Sequence, residues 1–123
     1  MHTQRISRAA SHDLGPVWAI PPGEGRVFEI GERRVAVFRT RGGELFASQA
    51  ECPHRSGPLA DGIVGGATVV CPLHSFKFDL ATGAALGHAC ASLATYPVHL
   101  GADGSILLEL GAQAAPNERA GAA

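Results

Sequence analysis

The sequence has 123 residues, room for one domain. Ten basic and eleven acidic side chains leave a formal charge of −1, which excludes the basic footprint of a nucleic-acid or anionic-membrane binder. No apolar run approaches bilayer length, and Met1 to Asp13 is polar without the apolar core of a secretory signal, so a cytoplasmic protein with no membrane partner is expected.

Residues 1–14 and the aperiodic stretch 111–123 read as flexible tails around a single domain at 15–110. Inside it, turn signals recur roughly every eight to twelve residues, the spacing of an all-β antiparallel sandwich or barrel. Val17–Ile20 is expected as a first strand, stopped by Pro21-Pro22-Gly23. Arg26–Ile30, Arg34–Thr40 and Glu44–Gln49 follow as a meander, joined by Gly31-Glu32-Arg33 and Arg41-Gly42-Gly43. The second of these is rich in Val and Phe, although its alternation is imperfect. Ala67–Val70, Phe76–Leu80, Thr95–Leu100 and Ser105–Leu110 complete the strands, with Gly101-Ala102-Asp103-Gly104 as the last turn. No segment has a helical period.

Two short Cys/His pairs fall in loops between these strands. Cys52-Pro53-His54 follows the meander, and Cys71-Pro72-Leu73-His74 comes sixteen residues later, directly after Val69-Val70. Each pair offers one thiolate and one imidazole, so the two together can hold a 2Fe-2S core, with thiolates on one iron and histidines on the other. Neutral imidazoles remove two negative charges relative to an all-cysteine site, which makes adding an electron easier and raises the potential to somewhere in roughly −150 to +300 mV. The same residue types could form a tetrahedral zinc site, for which Cys-x-His is unusually tight, and Cys52 with Cys71 could form a disulfide. A bound cluster would also help order the loops of a chain that has only seven aromatic residues.

The pairs, with Arg55-Ser56-Gly57-Pro58-Leu59 after the first and Phe76-Lys77-Phe78-Asp79-Leu80-Ala81-Thr82-Gly83 after the second, resemble the Rieske domain over residues 15–110. That resemblance implies a Rieske-type β sandwich or barrel with a small cluster-binding subdomain of two loops, and a 2Fe-2S cofactor. It implies Cys52 and Cys71 on the inner ferric iron, and His54 and His74 on the outer iron that changes valence. The histidine Nδ1 atoms would bind iron and the Nε2–H edges would face solvent as the electron exit, rimmed by Pro53, Pro72 and Leu73.

Pro21-Pro22-Gly23-Glu24-Gly25-Arg26, Arg34-Val35-Ala36-Val37-Phe38-Arg39 and Ala94-Thr95-Tyr96-Pro97-Val98 further resemble the small subunit of assimilatory NAD(P)H nitrite reductase. The partner would then be a large flavin and sirohaem subunit that reduces nitrite to ammonium. Two alternatives stand beside it. One is the Rieske ferredoxin component of an aromatic-ring-hydroxylating dioxygenase, working between a reductase and an oxygenase. The other, of a different class, is a structural zinc-binding module. The sequence contains no paired carboxylates, no nucleophile with a base and no phosphate-cradling loop, so no independent catalytic site is expected.

Respiratory Rieske proteins carry an extra disulfide-forming cysteine in each loop, where this chain has Gly57 and Leu73. They also have Ser and Tyr hydroxyl donors where this chain has Phe76 and Phe78. Lacking those donors, the cluster is expected at the low end of the Rieske potential range. Arg55, beside His54, would raise the potential slightly and could steer a partner. Cys90 reads as a small buried apolar residue, and His88 and His99 as surface residues.

Overall fold

The computed structural model describes residues 11–53, 57–72, 75–87 and 91–110. Among them the structure is all-β and antiparallel. The strands are β1 (Ser11–Pro16), β2 (Glu24–Ile30), β3 (Arg33–Arg39), β4 (Leu45–Gln49), β5 (Ile63–Gly65), β6 (Thr68–Val70), β7 (Lys77–Asp79), β8 (Ala85–Leu86), β9 (Thr95–Tyr96), β10 (Val98–Leu100) and β11 (Ser105–Glu109). They form three sheets in the orders β1-β11-β10, β2-β3-β4-β9 and β5-β6-β7-β8.

The β2-β3-β4 meander forms in the expected place, and its centre explains the imperfect alternation of β3. Val35 and Val37 pack on one face with Ile20, Ala47, Ile106 and Leu108. Ala36 and Phe38 pack on the other with Leu59, Val69, Phe78 and Leu93. Because both faces are buried, four consecutive apolar residues carry no polar partner, as in strands covered on both sides. Burial of each Val or Phe contributes about 1.5–3 kcal/mol. The central sheet is therefore a wall between two cores, one closed by β1-β11-β10 and the other by β5-β6-β7-β8. In the latter sheet Val64, Val69, Phe78 and Ala85 are successive cross-strand partners that face inward.

Four expectations need correction. Ser11–Pro16, placed almost wholly in the N-terminal tail, is a strand paired with β11. Its sequence is polar because backbone hydrogen bonds hold it at a sheet edge. Val17–Ala19, expected as a strand, is a 3-10 turn in which Ile20 N–H donates to the Val17 carbonyl (3.0 Å). The expected strand Thr95–Leu100 splits at Pro97, which has no N–H for a ladder, into β9 in the central sheet and β10 in the outer one. Finally, β5 and β8 are unexpected strands: β5 is bracketed by Gly62 and Gly65-Gly66, which read as turn, and β8 has only two residues. Residues 1–10 and 111–123 lie outside the described residues, and no described helix is long and apolar enough to cross a membrane.

Candidate metal centre

Both cysteines sit in loops closed in the same way. After β4, Glu51 pairs with Pro58 in an isolated antiparallel bridge, and Cys52 N–H donates to the Gly57 carbonyl at 2.8 Å. After β6, Cys71 N–H donates to the Phe76 carbonyl at 2.7 Å. In each loop the cysteine backbone reaches a carbonyl five residues ahead, although the intended ligand spacings differ by one residue. Ser75, which follows the second histidine, turns the chain back with φ 58°, in the left-handed region that non-glycine residues rarely enter.

The two loops meet in one apolar environment. Cys52 is 2% and Cys71 1% exposed, and both belong to the buried cluster that contains Leu59, Val64, Phe78 and Leu80. No disulfide joins them, so that alternative is not realised. The segment after the first loop passes directly against Val70, which brings the exit of one loop onto the approach to the other. Pro53 is half-buried and Pro72 exposed beside their cysteines. Phe76 packs against the cluster from its edge, and Phe78 is fully buried within it.

This arrangement fits an iron-sulfur cofactor. Two soft thiol donors, shielded from water, converge from separate loops, and each is followed by a histidine within its own loop. His54 and His74, together with Arg55, Leu73, His88 and Cys90, lie outside the described residues. Among the described residues alone, no three His, Cys, Asp or Glu side chains come together. His99 is exposed on β10, in the outer sheet away from the cysteine cluster.

Two polar features brace the first loop. Arg34 Nη1 donates to Glu51 Oε2, and its Nε lies 3.8 Å from Glu29. Both pairs are substantially exposed, so each contributes little. Gln49, which no motif singles out, donates from Nε2 to the Glu51 carbonyl (2.7 Å) and accepts from Ala94 N–H at Oε1 (2.8 Å).

Known proteins give the same picture. The profile of the Rieske [2Fe-2S] domain matches residues 11–97. The 3-phenylpropionate/cinnamic acid dioxygenase ferredoxin subunit of Escherichia coli (strain K12) is 38% identical over 97 residues, covering 77% of this chain and 89% of that protein. The solved Sphingomonas yanoikuyae B1 ferredoxin superposes with a TM-score of 0.71 at 32% identity, covering 80% of this chain and 97% of its own. A protein described as an NADH-dependent nitrite reductase small subunit, from Mycobacterium tuberculosis, superposes with a TM-score of 0.74 at 24% identity, covering 80% and 92%, a likeness of fold. With buried paired cysteines on two matching loops and a family match across most of the described residues, the chain belongs to the Rieske [2Fe-2S] domain family, electron-transfer proteins that carry a 2Fe-2S cluster.

Proposed function

We propose that Cys52 and Cys71 hold one iron of the cluster, that His54 and His74 hold the other, and that the chain is the ferredoxin component of an oxygenase system. The observation that carries the ligand assignment is the burial of both cysteines in one apolar cluster, on loops closed by the same backbone hydrogen bond. When bound, the cluster supplies one-electron transfer. The chain's own part is to exclude water around the thiolates with Leu59, Val69 and Phe78, and to hold the two loops at a fixed separation through the β6–β7 hairpin and the closures at Gly57 and Phe76. By the family resemblance, Pro53, Pro72 and Leu73 would rim the histidine edge, where a partner would dock. A cytoplasmic location belongs to the same proposal, because a reducing compartment keeps both cysteines available as thiolates.

Support for an oxygenase as the partner comes from sequence: the dioxygenase ferredoxin subunit is 38% identical across 89% of its length. A nitrite reductase small subunit remains the second reading, favoured by the segments around Pro22, Val35 and Tyr96. Stopped-flow mixing separates them. Reduced protein should be reoxidised rapidly by the Rieske oxygenase of its own host and slowly by a sirohaem nitrite reductase subunit. The reverse order would assign it to nitrite reduction.

A further inference from the structure

We infer that Gln49 is a positioning residue that ties the two cysteine loops together through Leu93 and Ala94. This deepens the ligand assignment proposed above and rests on it. Gln49 ends β4, three residues before Cys52. Its backbone N–H donates to the Ala94 carbonyl (2.9 Å), and its side-chain Oε1 accepts the Ala94 N–H (2.8 Å). Its Nε2 donates to the carbonyl of Glu51, the residue before Cys52 (2.7 Å). The Glu51 carbonyl can only accept and the Ala94 N–H can only donate, so the side chain needs a donor and an acceptor at one planar end. A carboxamide supplies both.

The other end of the tie reaches the second loop. Leu93 N–H donates to the Gly83 carbonyl (2.7 Å), and Gly83 N–H donates to the Asp79 carbonyl in β7 (2.7 Å). A Cβ on Gly83 would sit 2.2 Å from the Leu93 carbonyl oxygen, so this contact is backbone against backbone. β7 pairs with β6, which runs directly into Cys71. The Leu93 side chain is buried in the same cluster as Cys52 and Cys71. A continuous path of hydrogen bonds thus runs from the backbone before one cysteine to the hairpin that carries the other. Gln49 is its one side-chain link, and its side-chain hydrogen bonds go to the backbone of Glu51 and Ala94.

The test uses the loaded protein with Gln49→Leu, which keeps the volume and removes both side-chain bonds, and Gln49→Glu, which keeps the acceptor and loses the donor. If Gln49 sets loop separation, both variants shift the midpoint potential and the g-values of the reduced protein's EPR spectrum. In Gln49→Leu the Ala94 amide also exchanges with solvent about tenfold faster, the loss expected of one ordinary hydrogen bond. Unchanged potential and g-values in both variants, with the cluster retained, would overturn the inference and leave a merely structural residue. Should Gln49→Leu fail to load, Gln49→Glu and Ala94 exchange in the apo-protein decide: unaltered g-values and exchange there also overturn it. Cys52→Ser and Cys71→Ser are measured in parallel. If they still carry the wild-type cluster, the ligand assignment itself has failed, which is a distinct result.

Discussion

Gly62 lies so close to Val70 that a Cβ on Gly62 would sit 2.2 Å from the Val70 carbonyl oxygen. The backbone of Gly62 is extended (φ −79°, ψ 176°), so space and not conformation demands glycine there. Gly62→Ala must push the segment leaving the first loop away from the strand leading to Cys71, at a cost of about 3 kcal/mol. Gly65→Ala, with nothing within 4 Å, is the control and costs little. Urea unfolding of both variants checks the contrast, and equal midpoints would show that the two segments are not held together by this contact.

Ser75 has φ 58° at the turn that closes the second loop. A left-handed residue with a side chain costs roughly 1–2 kcal/mol, against about 0.5–1 kcal/mol of extra chain entropy that glycine loses on folding. Ser75→Gly should therefore stabilise the protein by about 0.5–1 kcal/mol, and Ser75→Val should destabilise it. Thermal unfolding of the apo-proteins reads both signs, and a loss of stability in Ser75→Gly would contradict the turn.

Purified protein should contain about two irons and two labile sulfides per chain, measured by colorimetric assay. Cys52→Ser, Cys71→Ser, His54→Ala and His74→Ala should each lose most of this content, while Cys90→Ser keeps it. Zinc in place of iron, under adequate iron and sulfur supply, would remove the electron-transfer reading altogether.

Phe78 is fully buried in the cluster that contains both cysteines, and the Phe76 carbonyl receives the Cys71 N–H. Neither ring can donate a hydrogen bond to sulfur, so the potential should lie toward the low end of roughly −150 to +300 mV. Phe76→Ser with Phe78→Tyr adds two hydroxyl donors and should raise it in a redox titration. An intact cluster with no rise would mean that another factor sets the potential.

Asp103 closes the last turn. Hydrogen bonds from the Ser105 backbone N–H and then its hydroxyl hold its carboxyl below the ordinary value of 3.8. A depressed carboxyl adds stability above its unfolded pKa and loses it as pH falls through the lower folded value. The gap in melting temperature between wild type and Asp103→Ala should thus be constant near neutrality and close only below about pH 4. A gap that closes on raising the pH would reverse the sign.

The centre of the fold was legible because Arg34–Thr40 and Glu44–Gln49 combine high β propensity with unambiguous glycine turns at Gly31 and Gly42-Gly43. The cysteines were legible because their spacing is chemical and not conformational. What escaped depends on tertiary context. Ser11–Pro16 is a strand only because β11 offers it an edge. Thr95–Leu100 is continuous in β propensity and divides only because Pro97 cannot donate, which sends its two halves to different sheets. Gln49 carries no motif, since its partners Glu51 and Ala94 are both backbone groups, one of them 45 residues away.

Because β3 is covered on both faces, it acts as a partition that lets one half of the molecule loosen while the other stays intact. Cys52 and Cys71, the thiolates proposed to hold the cofactor, both belong to the core on the Ala36 and Phe38 side; among the described residues, no cysteine belongs to the core that Val35 and Val37 face. Stripping the cluster should therefore open β6 and β7 to solvent exchange by local unfolding, with β10 and β11 still protected. Metal could then be inserted into a chain already folded along its opposite side, without passing through the denatured state.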